Sequence, residues 1–197
     1  MLVSLVLGTI GFILFFLYDI NSFTIKNRFV ESFFFLGCAF VVVPSGYQFY
    51  VACSNGEIML PNDLGWLILA GVALSVLVYC LFFAIPFEKT YVNPQEGRSV
   101  YDGGVYALCR HPGVVCFFVF YLFLGIAVRP YPFLPYGMYL SVLNLLYVVF
   151  QDAVTFPKTF CDYTDYKKYT PFIIPTKKSV CRSVSTMKRE SRKENIQ

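Results

Sequence analysis

The chain has 197 residues and a formal net charge of +4; 57% of its residues are hydrophobic, 19% aromatic and only 14% charged. Soluble domains carry about 25% charged residues, so this composition excludes an ordinary soluble fold. One His and seven scattered Cys, none in a Cys-x-x-Cys pair, exclude a zinc module of ordinary spacing.

A membrane-crossing helix needs roughly 20 mostly apolar residues, and in lipid its backbone groups must be satisfied internally. Residues 1–18 contain no acid or base and predict a first span over about 1–19. The block has no basic leader and no small-x-small site before Asp19, so it reads as an uncleaved span rather than a signal peptide. A short gap with Lys26 and Arg28 leads to a second span, about 32–53. Ser54-Asn55-Gly56 and Pro61-Asn62-Asp63 mark a turn-like gap before a third span, about 64–87. The third gap carries Lys89, Arg98 and Arg110, and a fourth span follows over about 112–128. Three prolines in Arg129–Pro135 interrupt any regular helix, so a tight turn is expected before the fifth span, about 136–152. Residues 176–197, with seven Lys/Arg, two Glu and no apolar period, predict a basic disordered tail that associates with membrane lipids or is simply solvated.

The expected fold is therefore all-α: a polytopic bundle of about five transmembrane helices forming one membrane domain over 1–175, with a short cytoplasmic C-terminal helical region. The first gap, the third gap and the region after the fifth span hold 15 of the 16 Lys/Arg residues. The positive-inside rule places these three segments in the cytoplasm and the N-terminus outside. Tyr47, Tyr50, Tyr131, Tyr136, Tyr163 and Tyr166 fall near the expected interfaces and read as an aromatic belt.

Chemistry concentrates in two segments. The first is Gly104-Val-Tyr106-x3-Arg110-His111-Pro112 at the mouth of the fourth span. Pro112 suits the first helical position. Arg110, the helix-start amides and the positive end of the helix dipole together would receive a carboxylate or phosphate. The second follows the fifth span: Gln151-Asp152, then Tyr163, Tyr166 and Tyr169 at three-residue intervals, Lys167-Lys168 and Pro171-Phe172-Ile-Ile-Pro175. A carboxylate at the end of an apolar run needs a cation or water. The hairpin returns Asp152 to the side where Arg110 and His111 lie, so the three are expected to meet in one pocket. Its mixed charge suits a zwitterionic ligand.

These two runs resemble the GxYxxxRHPxYxG signature and the downstream acidic pair, Tyr-x-x-Tyr and Pro-x-x-x-Pro block of the isoprenylcysteine carboxyl methyltransferase family and its phospholipid methyltransferase relatives. The resemblance spans 98–175. It implies an S-adenosyl-L-methionine site lined by Val100, Tyr101, Tyr106, His111, Pro112, Gly113, Val114 and Asp152, with Arg110, His111 and Asp152 as the catalytic group. It also implies a lipid-like or prenylated acceptor and no nucleic acid partner. Val114 stands where the family has Tyr, Cys116 where it has Gly, and Gln151 where the acidic pair has its first carboxylate. The Arg that the isoprenylcysteine enzymes carry before that pair is absent from Tyr147–Phe150. Two alternatives stay open: a catalytically degenerate member of the same membrane fold, and a sterol-reductase-like oxidoreductase using a nicotinamide cofactor.

Overall fold

The five apolar runs form the long helices of a computed structural model, which describes residues 1–58, 63–84, 98–128 and 133–194. In chain order these are α1 (Leu2–Phe23), the short α2 (Arg28–Glu31), α3 (Phe33–Ser54), α4 (Leu64–Phe82), the short α5 (Gly104–Leu108), α6 (Pro112–Ala127) and α7 (Phe133–Phe150). A π-helical turn (Gln151–Thr155), the short α8 (Phe156–Thr159), α9 (Tyr163–Tyr169) and α10 (Lys177–Glu194) complete the chain. No strand occurs among the described residues, only an isolated bridge between Arg98 and Phe160.

Among the described residues, four helical stretches are long and apolar enough to cross a membrane: Leu2–Phe23, Arg28–Ser54, Leu64–Phe82 and Phe133–Thr159. α6 is apolar but has 16 residues, about 24 Å at about 1.5 Å per residue. The molecule is an all-α polytopic membrane bundle. Its polarity is inverted as lipid requires: Val42, Val43, Ile68, Val72, Val142 and Leu146 face outward, while the hydroxyls and carboxyls described below lie inside.

α1 packs on α3 and α7, α7 on α6, and α6 on α4, giving the lateral order α3–α1–α7–α6–α4. Between α1 and α3, a Cβ built at either Gly11 or Gly37 would lie 2.9 Å from the other's carbonyl oxygen. Small residues let backbones approach where lipid gives no hydrophobic drive. Gly37→Val is therefore expected to destabilise the bundle by about 1–3 kcal/mol, because the Phe15 ring lies nearer still, at 2.7 Å, and the Gly11 carbonyl behind it is backbone that cannot swing aside. Thermal unfolding in detergent checks this; a melting point equal to wild type would contradict it.

Three expectations change. Tyr136 does not belong to an aromatic belt. It is 1% exposed and joins Tyr121 on the Ser45 hydroxyl, at 3.1 and 2.7 Å. Tyr163 and Tyr166 are likewise buried, whereas Tyr47 and Tyr50 are exposed; Tyr131 lies outside the described residues. A phenol next to a polar bundle interior gains more from a buried hydroxyl partner than from the interface. Pro135 lies inside the first turn of α7, not in the turn before it; the N–H it lacks has no helical partner there anyway.

The third change is the tail. Residues 177–194 form a helix rather than a disordered segment. Thr176 and Ser179 cap it reciprocally: the Ser179 amide donates to Thr176 Oγ1 (3.2 Å) and the Thr176 amide to Ser179 Oγ (2.9 Å). Such a reciprocal pair satisfies two orphan donors. The helix is then held by side chains that dock on α5, with Ser183 donating to the Gly104 carbonyl at 2.7 Å.

Candidate functional site

The wider π-helical turn at Gln151–Thr155 aims successive side chains to opposite sides. Thr155 faces α1, where its hydroxyl donates to the buried Asp19 carboxylate at 3.4 Å. Gln151 and Tyr147 complete the Asp19 shell, and Gln151 also donates to the Tyr147 hydroxyl at 2.9 Å. Asp19 thus ties α1 to the turn. Sequence reasoning treated it only as the boundary of an apolar block; its position near the end of a span was the signal available.

Asp152 points the other way and gathers the residues expected to meet there. The structure places Arg110 Nε 2.8 Å from Asp152 Oδ1 and Arg110 Nη2 3.4 Å from Oδ2. The Nε contact is an ion pair whose N–H is not aligned for a hydrogen bond. His111 Nε2 lies 3.4 Å from Oδ1. Two further groups join. Tyr163 donates its hydroxyl to Oδ1 at 2.6 Å, and Lys167 Nζ is 2.9 Å from Oδ2. Neither had been assigned to the site. Their separation of four residues, which puts them on one face of α9, was the sequence signal.

Arg110 is anchored a second time at the end of α9, where Nη1 donates to the carbonyls of Thr170 (3.2 Å) and Lys167 (3.4 Å). Cations suit a helix C-terminus. Its guanidinium also lies 5.6 Å from the centre of the Phe172 ring. The amides of Arg110 and His111 donate to the carbonyls of Pro171 and Phe172, at 2.9 and 3.2 Å. These two amides are therefore engaged by the chain itself and do not await an anion, contrary to the sequence expectation.

His111 is buried between aromatics. Its ring stacks on Phe156 at 5.6 Å and meets Phe172 edge-on at 5.1 Å. Burial pushes its pKa below the ordinary 6.5, against the opposing pull of Asp152. Neutral His111, with hydrogen on Nε2, donates to Asp152. The unfolded chain then binds more protons than the folded one below about pH 6.5, so stability is complete above that value and falls as pH drops toward the folded pKa. The melting temperature in detergent is expected to fall between pH 7.5 and 5.5, and by less in His111→Gln; equal falls would contradict this.

The remaining predicted residues are arranged around this centre. Tyr106 donates its hydroxyl to the Cys80 carbonyl at 2.8 Å, and its own carbonyl accepts from Tyr166 at 2.6 Å. The Val100 amide donates to Asp162 Oδ1 at 2.8 Å, tying the third gap to the segment after α8. The Tyr101 ring lies 6.4 Å from that of Tyr106. Pro112, Gly113 and Val114 form the first turn of α6. A Cβ at Gly113 would meet Leu77 and Leu81 of α4 at 3.5 and 3.9 Å, so that position looks toward α4 and not toward Asp152.

The expected mixed-charge pocket is thus a closed ion cluster. Asp152 is saturated by two cations, a phenol and an imidazole, and the cluster retains one excess positive charge. A ligand carboxylate would approach Lys167, whose side chain is 37% exposed. The buried Thr170 hydroxyl has no hydrogen-bond partner among the described residues. Such a group calls for a ligand or water. An amino-acid-bearing cofactor fits this set at its carboxylate end. Its ammonium would have to share Asp152 with Arg110. No protein-family model, no curated protein and no solved structure matches this chain.

Proposed function

We propose that the protein is a membrane methyltransferase that uses S-adenosyl-L-methionine to methylate an amphiphilic acceptor held in the bilayer. The observation that carries this reading is the convergence of Arg110, His111 and Asp152 at the mouth of the α6–α7 hairpin, in the sequence context that resembles the membrane methyltransferases. When bound, the cofactor supplies an already activated methyl group, so the protein needs mainly to position and desolvate. Placement alone can contribute roughly 7–11 kcal/mol. Arg110 and Lys167 would attract the cofactor's carboxylate, Asp152 its ammonium, and the His111–Phe156 stack would keep water from the reacting centre. In this reading the cluster faces the cytoplasm and the N-terminus lies outside, as the distribution of basic residues favours.

Calorimetry of S-adenosylhomocysteine on the full chain in detergent tests it. Binding in the micromolar range is expected, weakened at least tenfold by Lys167→Ala, whose partly exposed side chain makes a folding defect small. No binding by the intact protein would end the proposal.

A second reading has its own observation. Gln151 replaces one carboxylate and turns to Tyr147, while Asp152 is already neutralised. A non-enzymatic member of the same membrane fold would have these features. Cofactor binding without labelled methyl appearing in any lipid or prenylated peptide would favour it.

A further inference from the structure

A cavity lies at the same end of the bundle, away from the Asp152 cluster. It has a volume of about 940 Å³ and opens where α1 ends, α3 begins and α8 passes. Among the described residues, three cations line it, Lys26, Arg98 and Lys158, against one carboxylate, Glu31. The cations come from three separate segments: the first gap, the third gap and the region after α7. That is the grouping the basic-residue distribution implied.

Each cation is delivered by a specific device. Asn21, buried at the end of α1, clamps the turn: its carboxamide accepts from the Asn27 amide (2.8 Å) and donates to the Asn27 carbonyl (3.0 Å). Within this turn Lys26 is the one non-glycine residue with positive φ among those described, at 55°. A left-handed conformation is costly for an L-residue, and Asn or Gly would bear it more easily than Lys. Lys158 is held with Nζ 4.4 Å from the centre of the Phe23 ring. Arg98 is pinned by its carbonyl, which accepts from the Cys161 amide at 3.0 Å.

The other wall is apolar. Phe34 and Phe35 line the cavity, and Phe35 is 74% exposed. Ile25 and Phe29 beside it are 80% and 73% exposed. A cationic floor beside an outward apolar wall, at the end of a transmembrane bundle, matches an amphiphile with an anionic head and hydrocarbon tails. A soluble anion would have no use for the phenylalanines, and a zwitterionic choline head would bring its own cation against three others.

We infer that the Lys26–Arg98–Lys158 cavity binds the phosphate headgroup of an anionic phospholipid, with the acyl chains lying along Phe34 and Phe35. This inference is independent of the methyl-transfer reading, although α8 links the two sites: Phe156 stacks on His111, and Lys158 and Thr159 line the cavity.

Native mass spectrometry of the full chain, released from detergent containing equal amounts of dioleoyl phosphatidylglycerol and dioleoyl phosphatidylcholine, tests it. One phosphatidylglycerol per chain is expected, favoured at least tenfold over phosphatidylcholine. Lys26→Asn combined with Lys158→Gln should reduce its retention at least fivefold; Asn tolerates the backbone at position 26. Lys158→Gln alone, on an exposed side chain, should reduce it about threefold, and Lys158→Arg should preserve it. Lys168→Gln, at a 70% exposed ion pair elsewhere, should leave it unchanged. Equal retention of the two lipids, or wild-type retention by the Lys158→Gln variant, would overturn the inference. So would inorganic phosphate raising the melting point as much as phosphatidylglycerol does, which would mark a soluble-anion site.

Discussion

Asp152→Ala is expected to destabilise the protein by about 3–5 kcal/mol, the usual result of removing one member of a buried ion pair. The Arg110 side chain is only 10% exposed and cannot turn to water without leaving the carbonyls that hold it. His111 and Tyr163 lose their acceptor at the same time. Lys167 adds little to the penalty, since its partly exposed ammonium can swing out. At about 2–4 °C per kcal/mol for a chain of this size, the melting point should fall by about 6–20 °C. If the cost is the stranded guanidinium, Arg110→Gln should recover part of the loss in an Asp152→Asn background, with a coupling of about 1–3 kcal/mol in the double-mutant cycle. A loss below about 1 kcal/mol for Asp152→Ala would show that the cluster is not the centre of this end of the bundle.

Ending the chain at Thr176 is the second large effect. α10 holds the α5 segment by three contacts and α9 by a fourth. Ser183 donates to the Gly104 carbonyl (2.7 Å), and the Gly104 amide donates to Thr186 Oγ1 (3.1 Å). Arg182 pairs with Asp102 and sits 4.1 Å from the Tyr169 ring centre. Gly104 starts α5 with a φ of 55°, and both its backbone N–H and its carbonyl meet α10. Each neutral hydrogen bond contributes about 1 kcal/mol, the partly exposed ion pair under 1, and the cation–π contact about 0.5–2. Loss of about 2–3 kcal/mol of local stability would raise amide exchange at 103–108 by about 30–150-fold. The amides of α1 and α7 should be unaffected. Unchanged protection at Gly104 would contradict this. Because 103–108 leads into Arg110 and His111, the same truncation should weaken any ligand held by those residues.

How much of this could be read in advance depends on which residues speak locally. The span positions were legible because a lipid-crossing helix announces itself by length and lack of charge, as in Leu2–Phe23 and Leu64–Phe82. The meeting of Arg110, His111 and Asp152 was legible too, because a hairpin between α6 and α7 leaves little choice about which ends coincide. Tyr136, Tyr163 and Tyr166 were misread because an interfacial phenol and a buried, hydrogen-bonded one look alike in sequence. What distinguishes them is a partner 11 to 91 residues away, Asp152 for Tyr163 and Ser45 for Tyr136. α10 was misread because it has few apolar residues; its order comes from the Thr176–Ser179 cap and from docking on Gly104.

By itself the sequence determined that this chain lives in a membrane, where its helices run, and which end of the bundle holds its charges. Those properties follow from hydropathy and connectivity, which act along the chain. Only the tertiary structure decided that Asp152 is shared among Arg110, Lys167, Tyr163 and His111, that Asp19 secures the π-helical turn from the other side, and that Lys26, Arg98 and Lys158 surround one cavity. These are contacts between segments far apart in the chain. The first two form because a buried carboxylate in lipid must find a partner wherever the packing brings one.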